Sequence, residues 1–106
     1  MPHHTVTVNY NNKTHGFKAD PDPLRIKDTD TVSFKVAGAP ADTTFKITMN
    51  EPQLFSAAEV NDSETSVSLI EPIKIKTTYH CRLFDSKGAI LAESSEHQPG
   101  GGMVPA

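Results

Sequence analysis

The chain has 106 residues, 36% of them hydrophobic and 22% charged, with a formal net charge of -3. That is one domain's worth of chain, long enough to bury a core without covalent staples. Its Lys and Arg residues are scattered without a run or stripe, which disfavours nucleic-acid binding, and no apolar stretch approaches the length of a membrane span.

In chain order the dominant signal is period-2 alternation in short runs broken by turn residues. The N-terminus, MPHHTVTV, has no basic segment followed by an apolar one. No signal peptide is expected, so the chain is either cytoplasmic or a mature extracytoplasmic form with an added Met. TVTVNY puts Val6, Val8 and Tyr10 on one face, and NNKTHG follows as a loop. After Pro21, Asp22 and Pro23, PLRIK supplies Leu24 and Ile26. DTDTVSFKV aligns Val32, Phe34 and Val36; TTFKITM aligns Phe45, Ile47 and Met49. NEPQLFSAAEV fits either a helical turn or an irregular crossing. NDSE reads as a turn before TSVSLI, with Val67 and Leu69 on one face.

The long run IKIKTTYHCRLF places Ile73, Ile75, Thr77, Tyr79, Cys81 and Leu83 on a core face. Lys74, Lys76, Thr78, His80, Arg82 and Phe84 take the other, mostly solvent-facing side. DSKG has Asp first and Gly fourth, a type I turn signal, so AILAES should pair back as a hairpin. Counting back from that turn sets Cys81 opposite about Ala92. The expected architecture is all-β: a single Greek-key β-sandwich of seven or eight strands over residues 1–93. Residues 94–106, ending HQPGGGMVPA, have little to bury and are expected to form a mobile tail.

Within this pattern, FKADPDPLRIKDTDTVSFKV resembles the opening of the cupredoxin family. Phe17, Pro21 or Pro23, Leu24, Ile26, Asp30, Val32 and Phe34 fill the family's F-x-P, strand and G-D-x-V-x-F places, with Thr29 where Gly is usual. Tyr79 and Cys81 resemble its Tyr-x-Cys strand. An immunoglobulin-like sandwich is the alternative: DTVSFKVAGAP resembles its B strand and YHCRLFDSKG its F–G hairpin. That reading lacks a Cys near Val36 and the Trp of the C strand.

The cupredoxin resemblance implies a copper site of two His, one Cys and a weak Met. Cys81 matches the Cys, but neither RLFDSKGAIL nor AGAPADTT offers a His, and no Met follows in the hairpin loop. His97 and Met103 come later in the right order. Pairing from the DSKG turn leaves His97 five residues beyond the position facing Cys81, roughly 15 Å away at strand rise. His80 and Cys81 alternate onto opposite faces, so they do not chelate one ion, and a packed thiol is the simpler state. Removal of Met1 would expose Pro2-His3-His4, whose amine, amides and His4 imidazole suit square-planar Cu(II) or Ni(II).

His15 stands alone on a loop, Asp20 and Asp22 resemble half a calcium site, and Asn12-Lys13-Thr14 is a sequon. No nucleophile–base–orienter set or nucleotide-binding turn is visible. The expectation is a non-catalytic binding or structural module without a cofactor, acting on a protein partner through Phe84, Leu54 and Phe55. The alternative is a copper protein using Cys81 with His97 and Met103, or the N-terminal Pro2-His3-His4.

Overall fold

The computed structural model describes residues 3–11, 13–14, 16–20, 22–94 and 101–105. Two mixed β-sheets pack as a sandwich. The strands are β1 (His3–Asn11), β2 (Gly16–Asp20), β3 (Leu24–Ile26), β4 (Thr31–Ala37), β5 (Thr44–Met49), β6 (Glu59–Asn61), β7 (Ser66–Ser68), β8 (Thr77–Phe84), β9 (Ile90–Glu93) and β10 (Gly101–Pro105). The first sheet runs β2-β1-β4-β7, with β1 parallel to β4. The second runs β3-β10-β8-β5-β6, with β9 also along β8 and β10 parallel to β3. Among the described residues the sole helical element is a single 3-10 turn, Pro52–Leu54, and no helix is long and apolar enough to cross a membrane.

The alternating residues meet between the sheets. Val6, Val8 and Tyr10 from β1, Val32 and Phe34 from β4, and Phe45, Ile47 and Met49 from β5 are buried, as are Tyr79, Cys81 and Leu83 from β8. Phe34 and Tyr79 join the sheets edge to face, with centroids 5.0 Å apart and planes at 73°, a contact contributing ~1 kcal/mol beyond its buried area. The strand count exceeds seven or eight because two runs are interrupted. β2 and β3 part around Pro23, where the chain passes from one sheet to the other. β9 and β10 lie in succession along the same edge of β8.

Four expectations need correction. Residues 101–105 are not a mobile tail: they form β10, hydrogen-bonded between β3 and β8. Met103 is fully buried there, and the glycines that suggested an unstructured tail permit close approach to Tyr79. Cys81 faces Ser94, not Ala92. Its carbonyl accepts the Ser94 N–H at 2.8 Å, while its own N–H donates to Ser94 Oγ at 2.9 Å. The cause is a bulge: Phe84 pairs with Ile90, but Leu83 pairs with Ala92. Ile75 is 83% exposed because β8 begins only at Thr77, beyond the bends at Lys74 and Ile75. Phe55 is 4% exposed rather than on the surface. The turn at Pro52–Leu54 delivers it to an antiparallel bridge with Leu69, and its ring enters the core.

Candidate partner-binding surface

Phe84 closes β8 on the outward-facing parity of the strand and is half-buried. Its partner across the ladder is Ile90, 57% exposed. Strict alternation would place Ile90 and Ala92 on one face. The bulge at Leu91 instead turns Ala92 inward and leaves Ile90 beside Phe84 on the outer face. On the other flank β5 brings Lys46, whose Nζ lies 6.0 Å from the Phe84 ring centroid. Such a cation–ring contact contributes ~0.5–1 kcal/mol where solvent reaches it.

Turn chemistry holds this end in place. The Asp85 carboxylate accepts the N–H groups of Lys87 at 2.9 Å and Ala89 at 3.0 Å, and its carbonyl accepts the Gly88 N–H at 3.0 Å. Gly88 has φ 83°, a left-handed geometry for which glycine has no steric penalty. On the opposite side Asp62 Oδ2 accepts the Phe45 N–H at 3.0 Å, pinning the β6–β7 turn to β5. Between these two turns is an open hollow of about 400 Å³, lined by Phe45, Lys46, Asn61, Asp62, Phe84 and Gly88. Around it Lys46 meets Glu59 at 3.8 Å and Arg82 meets Glu93 at 3.3 Å. The site is an apolar pair framed by exposed, weakly held charges.

Leu54, the other expected surface residue, is half-buried and packs on the core. It lines a separate hollow of about 380 Å³ with Glu51, Gln53, Pro72, Ile73 and Ile75. Phe84 and Leu54 therefore belong to different surfaces, and Phe55 to neither.

The metal candidates do not converge among the described residues. Cys81 is 1% exposed, and burial pushes its thiol up to about 12. It stands in mid-strand opposite Ile47, not on the hairpin loop. Met103 also faces inward, but opposite Thr77, four residues along β8, which is roughly 13 Å at strand rise. His97 lies outside the described residues, as do His15, Asn12 and Pro2. His4 is in β1, where its Nε2–H donates to Asp30 Oδ2 at 2.9 Å. An amine-to-imidazole wrap would have to pull His3 and His4 out of the β1–β4 ladder. Asp22 Oδ1 accepts the Gly102 N–H at 3.1 Å, and Asp20 ends β2. No group of three or more His, Cys, Asp or Glu side chains forms a possible metal cluster among the described residues.

Sequence reasoning missed a polar set on the outer face of the first sheet. Ser33 Oγ lies 2.9 Å from His3 Nε2, and His3 Nδ1 lies 2.7 Å from Thr31 Oγ1. Parallel pairing of β1 with β4 puts His3 beside Thr31 across a gap of 28 residues in sequence, so no local motif announces it. Acyl transfer also needs amides aimed at a developing oxyanion. The amides of β1 and β4 here belong to their parallel ladder. No protein-family model and no curated protein matches the chain in sequence.

Proposed function

We propose that the chain is a non-catalytic binding module of cupredoxin-like architecture, without a complete blue-copper site, acting through the Phe84–Ile90 surface. Two features support the cupredoxin-like reading. β1 runs parallel to β4, and the segment β2–β3 leaves one sheet for the other, where β3 runs parallel to the last strand. The immunoglobulin-like alternative has two antiparallel sheets in the order of strands one-two-five-four and three-six-seven, and these parallel pairs depart from it. The copper reading is weakened by the position of Cys81, buried in mid-strand with a disfavoured thiolate.

The observation that carries the surface assignment is the exposed Ile90 beside half-buried Phe84, brought out by a bulge that breaks the buried alternation. A sandwich stabilised by its core alone has no need of an apolar pair at this edge. The partner is a protein that covers the pair and competes for Lys46 and Arg82. The test is co-purification from cells expressing wild type, Phe84→Asp or Ile90→Asp, quantified by mass spectrometry. Partners retained by the wild type should fall at least about tenfold in both variants, the loss expected for one desolvated anchor. Their melting temperatures should stay within a few degrees. Undiminished capture by both folded variants would remove this surface from consideration.

A further inference from the structure

β10 is a short terminal strand held in a slot. On one side Met103, Val104 and Pro105 pair with Leu24, Arg25 and Ile26; on the other Gly101, Gly102 and Met103 pair with Tyr79, Thr78 and Thr77. Its side-chain anchorage is concentrated in Met103, which is fully buried, whereas Val104 is half-buried and Pro105 exposed. The slot is selective. A Cβ on Gly101 would run into Tyr79 Oη and lie 2.7 Å from Ala19 Cβ, so only glycine fits there. Asp22 Oδ1 receives the Gly102 N–H. The slot therefore selects glycine at position 101 and takes the apolar side chain of Met103.

One buried side chain and two three-residue ladders hold it, and an end strand held by so little opens before the core does. Its departure uncovers the edges of β3 and β8 together with Leu24, Ile26 and Tyr79, all buried in the closed chain. The segment that best re-covers them carries the same sequence. Between Glu93 and Gly101 the chain can extend to about 26 Å, and Pro99 and Gly100 stand just before the strand. We propose that β10 is an exchangeable strand and that the β3–β8 slot takes the β10 of a second copy of this chain, giving a reciprocal strand-swapped dimer. Every contact of the swapped strand equals one in the monomer. Concentration and the connecting residues, rather than a new interface, then set the equilibrium.

Thr78 and Gly102 face each other across the β8–β10 ladder, and a Cβ on Gly102 meets chiefly the movable end of Lys76, at 2.6 Å. In a Cys81→Ser background, one variant carries Thr78→Cys and another Gly102→Cys. The two are incubated together at high concentration and oxidised. The expected result is a disulfide-linked heterodimer that grows with concentration, while a chain carrying both substitutions closes on itself when dilute. Failure of the mixture to cross-link while the double variant closes on itself overturns the proposal. Unsubstituted protein provides the second measurement, by native mass spectrometry of a ¹⁴N/¹⁵N mixture. Slowly appearing mixed-label dimers are expected. Monomer alone at the highest concentration, or a dimer that mixes within the dead time, also overturns it.

Discussion

Thr29 sits at φ 74°, in the left-handed region, just before the buried Asp30. Its N–H donates to the Leu69 carbonyl at 2.8 Å, so the conformation is held by a long-range bond. A β-branched residue pays a steric cost of ~1–2 kcal/mol there. Glycine removes that cost but makes the unfolded chain freer by up to about 1 kcal/mol. Thr29→Gly should therefore stabilise by about 0.5–1 kcal/mol, read as a higher urea midpoint at unchanged m-value. A destabilised variant would mean that the Thr side chain compensates its backbone. Cys81 offers a second residue-scale test. With its thiol near 12, almost none is thiolate at pH 8. Reaction with a disulfide reagent at pH 8 should be at least ~10²-fold slower in the native protein than in denaturant. Fast native labelling, or a thiolate-to-copper absorption on adding Cu(II) that Cys81→Ser removes, would return the thiol to the list of ligands.

At the scale of elements, the β8–β9 hairpin shows what alternation can and cannot convey. Its turn was legible: Asp85 and Gly88 take the first and fourth places, and the Gly88 N–H reaches the Asp85 carbonyl at 3.0 Å. The bulge was not, because an extra residue leaves no compositional mark and shifts every partner after it. Phe84 could be placed on the outer face from parity alone, whereas Ile90 could not. Asp85→Ala removes the acceptor for the Lys87 and Ala89 amides and should cost about 1 kcal/mol, as losing a cap does. Because the same turn holds Phe84 and Ile90 together, the variant should also weaken partner capture while leaving far-UV circular dichroism unchanged. Unaltered stability would show that the Asp85–Gly88 and Asp85–Ala89 backbone bonds suffice. The exposed Ile75 and buried Phe55 failed for a different reason. Both lie beside Pro-containing turns, Pro72 and Pro52, where the backbone leaves strand geometry and parity ceases to apply.

For the whole molecule, sandwich class followed from short alternating runs, but sheet membership did not. Period two reports which residues face inward, not which strand lies beside them. The neighbours of β1 and β10 are decided by pairings distant in sequence, and so are the partners of Asp30, an acidic group that ties several elements together. Asp30 lies in the β3–β4 turn where the chain crosses between the sheets. Its carboxylate accepts from His4 of β1 at 2.9 Å and from the Lys27 N–H at 3.1 Å. Its own carbonyl accepts the Leu69 N–H at 3.0 Å. The His4 bond first, then the Lys27 amide, hold its carboxyl below the usual value of 3.8. Unfolded chains bind that proton more readily than folded ones. The carboxylate's stabilisation is therefore complete above pH 3.8 and is lost as pH falls through the lowered folded value. Asp30→Asn keeps the shape but removes the titration. Wild type should lead the variant in urea midpoint at pH 6, and the gap should narrow between pH 4.5 and 2.5. A gap constant across that range would show that Asp30 acts through packing alone and not through its charge.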